Sequence, residues 1–386
     1  MIIPYGKQDV NQVDIDAVIK VLESDFLTQG PQVPLFEKNI MDYCNVNYAV
    51  ATNSATSALH LACKSLGLGD GDWLWTSPNT FVASANCARY CGAQVDFIDI
   101  DLQTYNLCAD ALERKLITAK KENKLPKIVM PVHFAGQSCD MKRIHELSQQ
   151  YKFKIVEDAA HAIGGKYDNN PIGCCQYADI TVFSFHPVKI ITTAEGGIAT
   201  TNDEKLAATM KLLRSHGVTR DPRRMENIPD GGWYYEQIEL GYNYRMTDVQ
   251  AALGSSQMQR LEKFIEIRHQ IKKRYDVALK ALPVFLPYQA KECVSSMHLY
   301  PILLDLERLN KTHAQVFSEL REKELSVNLH YIPVYKHPYF RRLGVKQTTC
   351  PNVEEYYKRA ISIPMYSGLT ETQQERVVSE LSAVLQ

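Results

Sequence analysis

Apolar residues along the chain follow three successive patterns. Residues 11–24 and 33–43 carry apolar positions at helical spacing, with a break over 27–31. From 48 to 200, short apolar runs such as "QVDFIDID", "KIVMPVH", "FKIVEDAA" and "ITVFSF" alternate with helix-length segments. Helical spacing returns over 246–281, and the remaining residues mix strand-like and helix-like segments.

The middle pattern indicates the fold class. Strands that are apolar throughout are typical of a largely parallel sheet covered by helices on both faces, so we predict an α/β fold. We expect a large α/β domain over residues 1–250, including the N-terminal helical segment. From 251 to 386 we expect a linking helix and a smaller α+β domain.

Composition and charge exclude several classes of protein. The 386 residues carry 43 Lys and Arg against 44 Asp and Glu, which argues against a partner that is a nucleic acid or an anionic membrane. No apolar run approaches the roughly 20 residues that cross a bilayer, and the amino terminus does not resemble a secretory signal. Ten scattered cysteines without a CxxC pair favour reduced thiols in a cytoplasmic enzyme and no metal site.

Lys189 is an unusual residue for its surroundings. It lies between the apolar run that begins at 180 and a second one that ends at 196–197. Either its stem reaches out to water, or the apolar surroundings lower the pKa of its amine so that the amine becomes a neutral nucleophile.

Other polar residues follow the predicted strands, where open α/β sheets bind ligands. "SATS" (54–57) opens a helix, Asp158 ends a strand with His161 shortly after it, and Ser184 precedes Lys189. Each has a structural alternative: a helix cap, an ion pair, a packed histidine or a structural cation. Together, a phosphate cradle, an acid and a desolvated lysine indicate pyridoxal phosphate.

This cofactor requires a lysine that forms a Schiff base and a carboxylate that keeps the pyridine nitrogen protonated. Phe81 is a flat side chain that could cover the ring. Thr56, Ser57 and Ser184 could supply donors to the phosphate.

Six stretches identify a family: "NSATSALHL", "TSPNTFVASANC", "VEDAAHAIGG", "SFHPVKIITTAEGGIATT", "LLRSHG" and "LGYNYRMTDVQAALG". They resemble the DegT/DnrJ/EryC1/StrS family of sugar aminotransferases, in the same order and spacing. The resemblance implies the type I aminotransferase fold of pyridoxal-phosphate enzymes, with a mostly parallel seven-stranded sheet. It also implies a homodimer with shared active sites.

Within the family, "FLTQGPQVPLFEKN", "MHLYPILL" and "LHYIPVY" look most like the enzymes of pseudaminic acid biosynthesis. The implied reaction moves an amino group from L-glutamate to C4 of a UDP-linked 4-keto-6-deoxy-N-acetylhexosamine. Transaminases for bacillosamine-, viosamine- or perosamine-type sugars share most of the motifs. "SFHPVK" also departs at Pro187 and Val188 from the Ala-Ile expected in close relatives.

The resemblance assigns roles by position. Lys189 would carry the cofactor, Asp158 would pair with the pyridinium nitrogen, and His161 would lie near the ring. The expected cofactor residues are Ala55, Thr56, Ser57, Phe81, Asp158, His161, Ser184, Lys189 and, reaching the neighbouring subunit's cofactor phosphate, Asn243. The expected substrate residues are Tyr5, Asp25, Phe26, Leu27, Thr28, Ala55, Ser184, Asn243, His330, Tyr331, Ile332 and Pro333.

Three other functions compete with transamination. Some relatives are sugar dehydratases that use the same cofactor, and certain of them replace the lysine by histidine, which Lys189 argues against. A non-catalytic cofactor-binding regulator would not need both Lys189 and Asp158. A nicotinamide-dependent epimerase would need a glycine-rich GxGxxG fingerprint, which "SLGLGDGD" does not match.

Overall fold

A computed structural model describes residues 2–344 and 350–386. Thirteen α-helices form within these residues. They are α1 Gln12–Leu22, α2 Gln32–Cys44, α3 Ala55–Ser65, α4 Ala83–Tyr90, α5 Ala109–Lys121, α6 Met141–Tyr151, α7 Glu204–Arg214, α8 Asp248–Met258, α9 Leu261–Ala278, α10 His313–Glu322, α11 Pro338–Arg342, α12 Pro351–Arg359 and α13 Glu371–Leu385.

The same residues contain seventeen strands, several of only two residues. They are β1 Ile3–Pro4, β2 Tyr48–Thr52, β3 Trp73–Thr76, β4 Gln94–Phe97, β5 Ile128–Met130, β6 Lys154–Asp158, β7 Lys166–Tyr167, β8 Asn170–Pro171, β9 Ile180–Ser184, β10 Gly197–Thr201, β11 Val218–Thr219, β12 Glu236–Gln237, β13 Val284–Phe285, β14 Cys293–Val294, β15 Tyr300–Leu304, β16 Leu325–Ser326 and β17 Ala360–Ile363.

Seven strands form the main sheet, in the order β2-β10-β9-β6-β5-β3-β4. Strand β10 runs antiparallel to both of its neighbours, and every other adjacent pair in the β9-to-β4 part is parallel. The predicted mostly parallel seven-stranded sheet is therefore confirmed. Because β2, β6 and β9 run in the same direction, their carboxyl ends meet at one edge of the sheet.

Both faces of the main sheet are covered, as the apolar strands predicted. On one face, the buried side chains of α3 (Leu59, Leu61 and Ala62) join Val156 and Val182 of β6 and β9 in one apolar cluster. On the other face, Phe36 of α2 belongs to a cluster with Phe183 of β9 and Ile198 of β10. The core thus fixes the ends of β2, β6 and β9 from two sides.

A second sheet, β13-β15-β17, packs with α9, α10 and α13 around its own apolar cluster. Arg268 of α9 is fully buried beneath it. One nitrogen of Arg268 (Nη1) donates to the carbonyls of Met297, His298 and Met365 at 3.0–3.3 Å. These bonds tie α9 to two chain segments at once. The predicted division of the chain at residue 250 stays a prediction.

Three local predictions differ from the structure. The strand β3, "WLWT", was not predicted. The segment 246–281 forms two helices instead of one, since α8 ends at Met258 and α9 begins at Leu261. Arg260 lies at this break and its guanidinium bonds to Asp9 and to the fully buried Asp14, contacts that hold the chain in a non-helical conformation there.

The third difference concerns 326–335, where the sequence predicts a strand. Leu325–Ser326 pairs with β1 and Asn328 forms an isolated antiparallel bridge with Ser362 of β17, and the chain beyond Asn328 turns towards the main sheet. The backbone N–H of Tyr331 donates to Asn79, and that of Val334 donates to the carbonyl of Pro78. From Tyr331 onwards, contacts with the loop after β3 therefore take the place of strand pairing.

Two general features complete the fold. Within residues 2–344 and 350–386 no helix is long and apolar enough to span a bilayer. All ten cysteines are free thiols, and burial raises the pKa of several, Cys175 to about 12 among them.

Candidate active site

A cavity of about 590 Å³ opens at the carboxyl ends of β6 and β9. This volume suits a small-molecule ligand. Ten of the residues predicted from sequence line it: Tyr5, Ala55, Thr56, Phe81, Asp158, His161, Ser184, Lys189, His330 and Tyr331. Residues from the amino terminus, the main sheet and the segment after β16 thus meet in one place.

The other predicted residues lie outside this cavity. Ser57 is buried in α3, with its hydroxyl bonded to Asn53 at 2.6 Å and to Ser54 at 3.0 Å. The segment Asp25, Phe26, Leu27 and Thr28 is exposed, as are Asn243 and Ile332, and Pro333 is buried away from the cavity wall. The predicted roles of these residues stay predictions, and that of Asn243 concerns the cofactor of the neighbouring subunit.

The amino end of α3 forms one wall of the cavity. The side chain of Ser54 caps this helix by accepting from the N–H of Ser57, and Ser54, Ala55 and Thr56 face the cavity. Gly197 of β10 passes so close that an added Cβ would lie 2.4 Å from the backbone nitrogen of Ala55. The first N–H groups of a helix have no partner within the helix, so this helix amino terminus suits an anion.

Lys189 is half-buried and faces the cavity from the turn after β9. Loss of water lowers the pKa of its amine to about 8, and attraction to Asp158 partly opposes this. Among the described residues that line the cavity, Lys189 is the only lysine or arginine. The amine can therefore be neutral near physiological pH.

Asp158 ends β6 and is buried at the bottom of the cavity. The hydroxyl of Ser84 donates to its Oδ2 at 2.6 Å, and the N–H of Ala160 donates to Oδ1 at 3.1 Å. Thr80 in turn contacts the hydroxyl of Ser84 at 2.7 Å. Each carboxylate oxygen keeps a lone pair, so Asp158 can accept a further proton donor from a ligand.

His161 has both ring nitrogens engaged. Its Nδ1 accepts from the N–H of Ala135 at 3.3 Å, and its Nε2 lies 3.0 Å from the hydroxyl of Tyr331. Burial lowers the pKa of His161 well below its usual value, so the ring is neutral. The bonds assign the hydrogen to Nε2, which donates to Tyr331. The phenol hydrogen of Tyr331 is then free for a ligand.

The outer wall of the cavity is aromatic. His330 packs against Tyr5 with ring centroids 5.1 Å apart, and burial lowers the pKa of His330 to about 3. Phe81 is 61% exposed at the rim, 6.4 Å from the ring of Tyr331. These flat, uncharged surfaces are suited to rings and hydroxyl groups of a ligand.

Among the residues of this site that sequence reasoning missed are His298, Asn328, Thr80 and Ser84. His298 and Asn328 line the cavity, and both lie in or beside the stretches "MHLYPILL" and "LHYIPVY". Thr80 and Ser84 belong to "TSPNTFVASANC". The motifs therefore included them, but nothing in their spacing indicated what they contact.

Comparison with known proteins identifies the family. The model of the DegT/DnrJ/EryC1/StrS aminotransferase family matches residues 8–382. The chain belongs to this family. A curated relative is the UDP-4-amino-4,6-dideoxy-N-acetyl-beta-L-altrosamine transaminase of Campylobacter jejuni subsp. jejuni serotype O:2. It is 37% identical over 383 residues, which are 99% of this chain and 97% of the relative.

Solved structures of similar proteins have the same fold. Helicobacter pylori PseC, an aminotransferase involved in the biosynthesis of pseudoaminic acid, superposes with a TM-score of 0.91 at 29% identity, covering 100% of this chain and 99% of that one. The PLP form of the putative sugar aminotransferase Spr1654 from Streptococcus pneumoniae gives 0.89 at 27% identity, covering 100% and 98%. The chain is a sugar aminotransferase that uses pyridoxal phosphate.

The residues of the cavity fit this cofactor. Lys189 has an amine that can be neutral, and Asp158 has a carboxylate with a lone pair to spare. The approach of Gly197 to Ala55 keeps side chains away from the amino end of α3, where a phosphate can bind. All three features surround one cavity, as the chemistry of the cofactor requires.

Proposed function

We propose that this aminotransferase moves an amino group from L-glutamate to C4 of a UDP-linked 4-keto-6-deoxy-N-acetylhexosamine, as in pseudaminic acid biosynthesis. The similarity to the Campylobacter transaminase along 99% of the chain supports this choice of sugar. We further propose that it acts in the cytoplasm, as a homodimer with shared active sites.

The meeting of Lys189 and Asp158 in one cavity is the observation that carries the proposal. Bound pyridoxal phosphate supplies an aldehyde and an electron-withdrawing ring. Lys189 would be its covalent anchor, and after displacement by the amino donor its amine would move a proton at the substrate carbon. Asp158 would hold the ring nitrogen protonated, while Ser84 and Ala160 fix its orientation.

The other residues of the cavity would bind the cofactor and the sugar and orient them. Ala55 and Thr56 at the start of α3 and Ser184 at the end of β9 would surround the phosphate. Phe81 would cover the ring face from the rim. His161 would lie near the ring and hold Tyr331 in place through its Nε2–H. Tyr5, His330 and Tyr331 would contact the sugar.

The residues outside the cavity support a dimer. Asn243 is exposed and absent from this chain's own cavity wall, as is the segment 25–28. Lys189 is the only lysine or arginine among the described lining residues, whereas phosphate, diphosphate and glutamate carboxylates are all anionic. We propose that a second copy contributes Asn243 and further donors to the cavity.

A substrate panel tests the proposed reaction. Purified enzyme is incubated with glutamate and, separately, UDP- and dTDP-linked 4-keto sugars, and products are measured by mass spectrometry. We expect gain of an amine with formation of 2-oxoglutarate, and the fastest turnover with the UDP-linked N-acetylhexosamine. Loss of water instead would identify a dehydratase, and faster turnover of another sugar would refute the proposed substrate.

Two lysine variants control this experiment. Lys189→Ala should bind the cofactor without turnover, because it lacks both the anchor and the proton carrier. Lys38→Ala, at an exposed lysine paired with Asp42 on α2, should turn over normally. Normal turnover by Lys189→Ala would contradict the assignment of this residue.

A further inference from the structure

His298 is a buried histidine that lines the active-site cavity and has no role in the reaction described above. It is 3% exposed, and its ring centroid lies 4.3 Å from that of His161. The cavity therefore contains two imidazoles in contact, beside the amine of Lys189. The two rings differ in what their nitrogens can still bind.

The ring of His161 has no free nitrogen in this structure. The N–H of Ala135 occupies its Nδ1, and the hydroxyl of Tyr331 occupies its Nε2. His161 can present its ring face to a ligand, but a new hydrogen bond would require one of these two bonds to break.

His298 has a free nitrogen. Its Nδ1 is buried and has no hydrogen-bond partner within residues 2–344 and 350–386. Nε2 is not among the buried atoms that lack a partner, and the residue lines the cavity. Burial, and then the neighbouring His161, Lys189 and Arg268, lower the pKa of His298 well below its usual value, so the ring carries a single hydrogen.

The position of that hydrogen follows from the surroundings of Nδ1. Buried N–H groups without an acceptor are rarer in proteins than acceptors that lack a donor. The hydrogen is therefore placed on Nε2, and the buried Nδ1 keeps an unused lone pair. An Nε2–H that faces a cavity needs an acceptor, which a ligand oxygen can supply.

The backbone around His298 holds the ring in place. The N–H of His298 donates to the carbonyl of Ala135 at 2.9 Å, and its carbonyl accepts from the buried Arg268 at 3.3 Å. The neighbouring hydroxyl of Ser296 donates to the carbonyl of His161 at 2.8 Å. His298 thus lines the cavity from a fixed segment. A flexible loop does not explain why its Nδ1 lacks a partner among the described residues.

We propose that His298 contacts the ligands of this active site directly, with its Nε2–H donating a hydrogen bond to an acceptor oxygen of the cofactor, the amino donor or the sugar. The inference rests on the family's aminotransferase reaction and is independent of which sugar is the substrate.

Two substitutions test the hydrogen bond separately from packing. His298→Phe keeps a flat ring against His161 and removes the N–H. His298→Gln has an amide N–H that can take the place of Nε2–H. His269→Phe is the matched control. The ring of His269, on α9, bonds at 2.8 Å to the carbonyl of Ser295, which belongs to the same segment as His298, but His269 does not line the cavity.

Three measurements distinguish the possible acceptors. The affinity of the apoenzyme for pyridoxal phosphate, measured by fluorescence titration, reports a contact with the cofactor. Single-turnover rates with glutamate at varied concentration report a contact with the amino donor. The reverse half-reaction with the amino sugar nucleotide reports a contact with the sugar. Thermal unfolding of each apo-variant shows whether the fold is intact.

We expect His298→Phe to lose about tenfold in at least one of the three measurements, which is the size of one neutral hydrogen bond. His298→Gln should recover most of that loss, and His269→Phe should show none of it. A change of less than twofold in all three for His298→Phe would overturn the inference. So would equal losses in His298→Phe and His269→Phe, or no recovery in His298→Gln.

The design separates this inference from the proposed substrate. If the wild-type enzyme does not react with glutamate or with the sugar of the proposed function, that proposal fails. The affinity of the apo-variants for the cofactor can still be compared, and the donor that is active replaces glutamate in the second measurement.

Discussion

The pH at which Lys189 loses its proton is a direct test of the cavity's electrostatics. Burial lowers the pKa of this amine to about 8, from an ordinary value of 10.5. At pH 8 about half of the amines are then neutral, against roughly 0.3% for an amine that titrates at 10.5. The folded apoenzyme should therefore present a sizeable neutral fraction of this amine, about a fifth at pH 7.4, to an aldehyde.

Competitive labelling of the apoenzyme measures this without the cofactor. A trace of acetic anhydride is added at a series of pH values, and the acetylated fraction of Lys189 is read from peptide mass spectra. We expect a midpoint near 8. The same amine in urea-unfolded protein is the control and should label with a midpoint near 10.5.

Asp158→Asn separates the two causes of the shift. Asp158 stabilises the charged amine, so its removal should move the midpoint of Lys189 below that of the wild type. A folded-state midpoint near the ordinary lysine value, or an upward shift in Asp158→Asn, would refute the reasoning. Because the unfolded chain binds more protons between pH 8 and 10.5, the amine's contribution to the free energy of unfolding should rise with pH across that window.

Three further predictions follow from other contacts. Gly197→Ala places a Cβ 2.4 Å from the backbone nitrogen at the start of α3, so it should lower the affinity for pyridoxal phosphate and reduce the free energy of unfolding by about 1–3 kcal/mol. Gly69→Ala, with open space around it, should change neither quantity in fluorescence titration and urea denaturation. Arg260→Ala removes the cationic partner of a fully buried aspartate and should cost about 3 kcal/mol in urea denaturation. If Asn243 serves the partner's site, a mixture of Lys189→Ala and Asn243→Ala subunits should recover about a quarter of wild-type turnover, since each mixed dimer regains one complete site; no recovery after subunit exchange would contradict that role.

The parts of the fold that depend on local pattern could be predicted from sequence. The runs at 48–52, 154–158, 180–184 and 197–201 are apolar and of strand length, and each forms a strand of the main sheet. Because parallel strands end at one edge, Asp158 and Lys189 could be expected to meet, and they line the same cavity.

The parts of the structure that depend on contacts between residues far apart in the sequence could not be predicted. The break at Arg260 between α8 and α9 involves Asp9 and Asp14, and nothing in the helical spacing of 246–281 indicates it. The segment 326–335 has strand-like composition, but the N–H groups of Tyr331 and Val334 bond to the loop after β3. Nδ1 of His298 has no hydrogen-bond partner among the described residues because of the packing around it, which no sequence pattern indicates.

The buried guanidinium of Arg268 has a consequence for movement of the protein. Because its Nη1 bonds to the carbonyls of Met297 and His298, just before β15, and of Met365, just after β17, α9 is anchored at one end of the β13-β15-β17 sheet, next to His298. The same segment is also bonded to residues beside the main sheet, through the N–H of His298 to the carbonyl of Ala135 and the hydroxyl of Ser296 to the carbonyl of His161. A hinge between the smaller sheet and the main sheet would have to break one of these two sets of bonds, so the structure resists such a movement at His298.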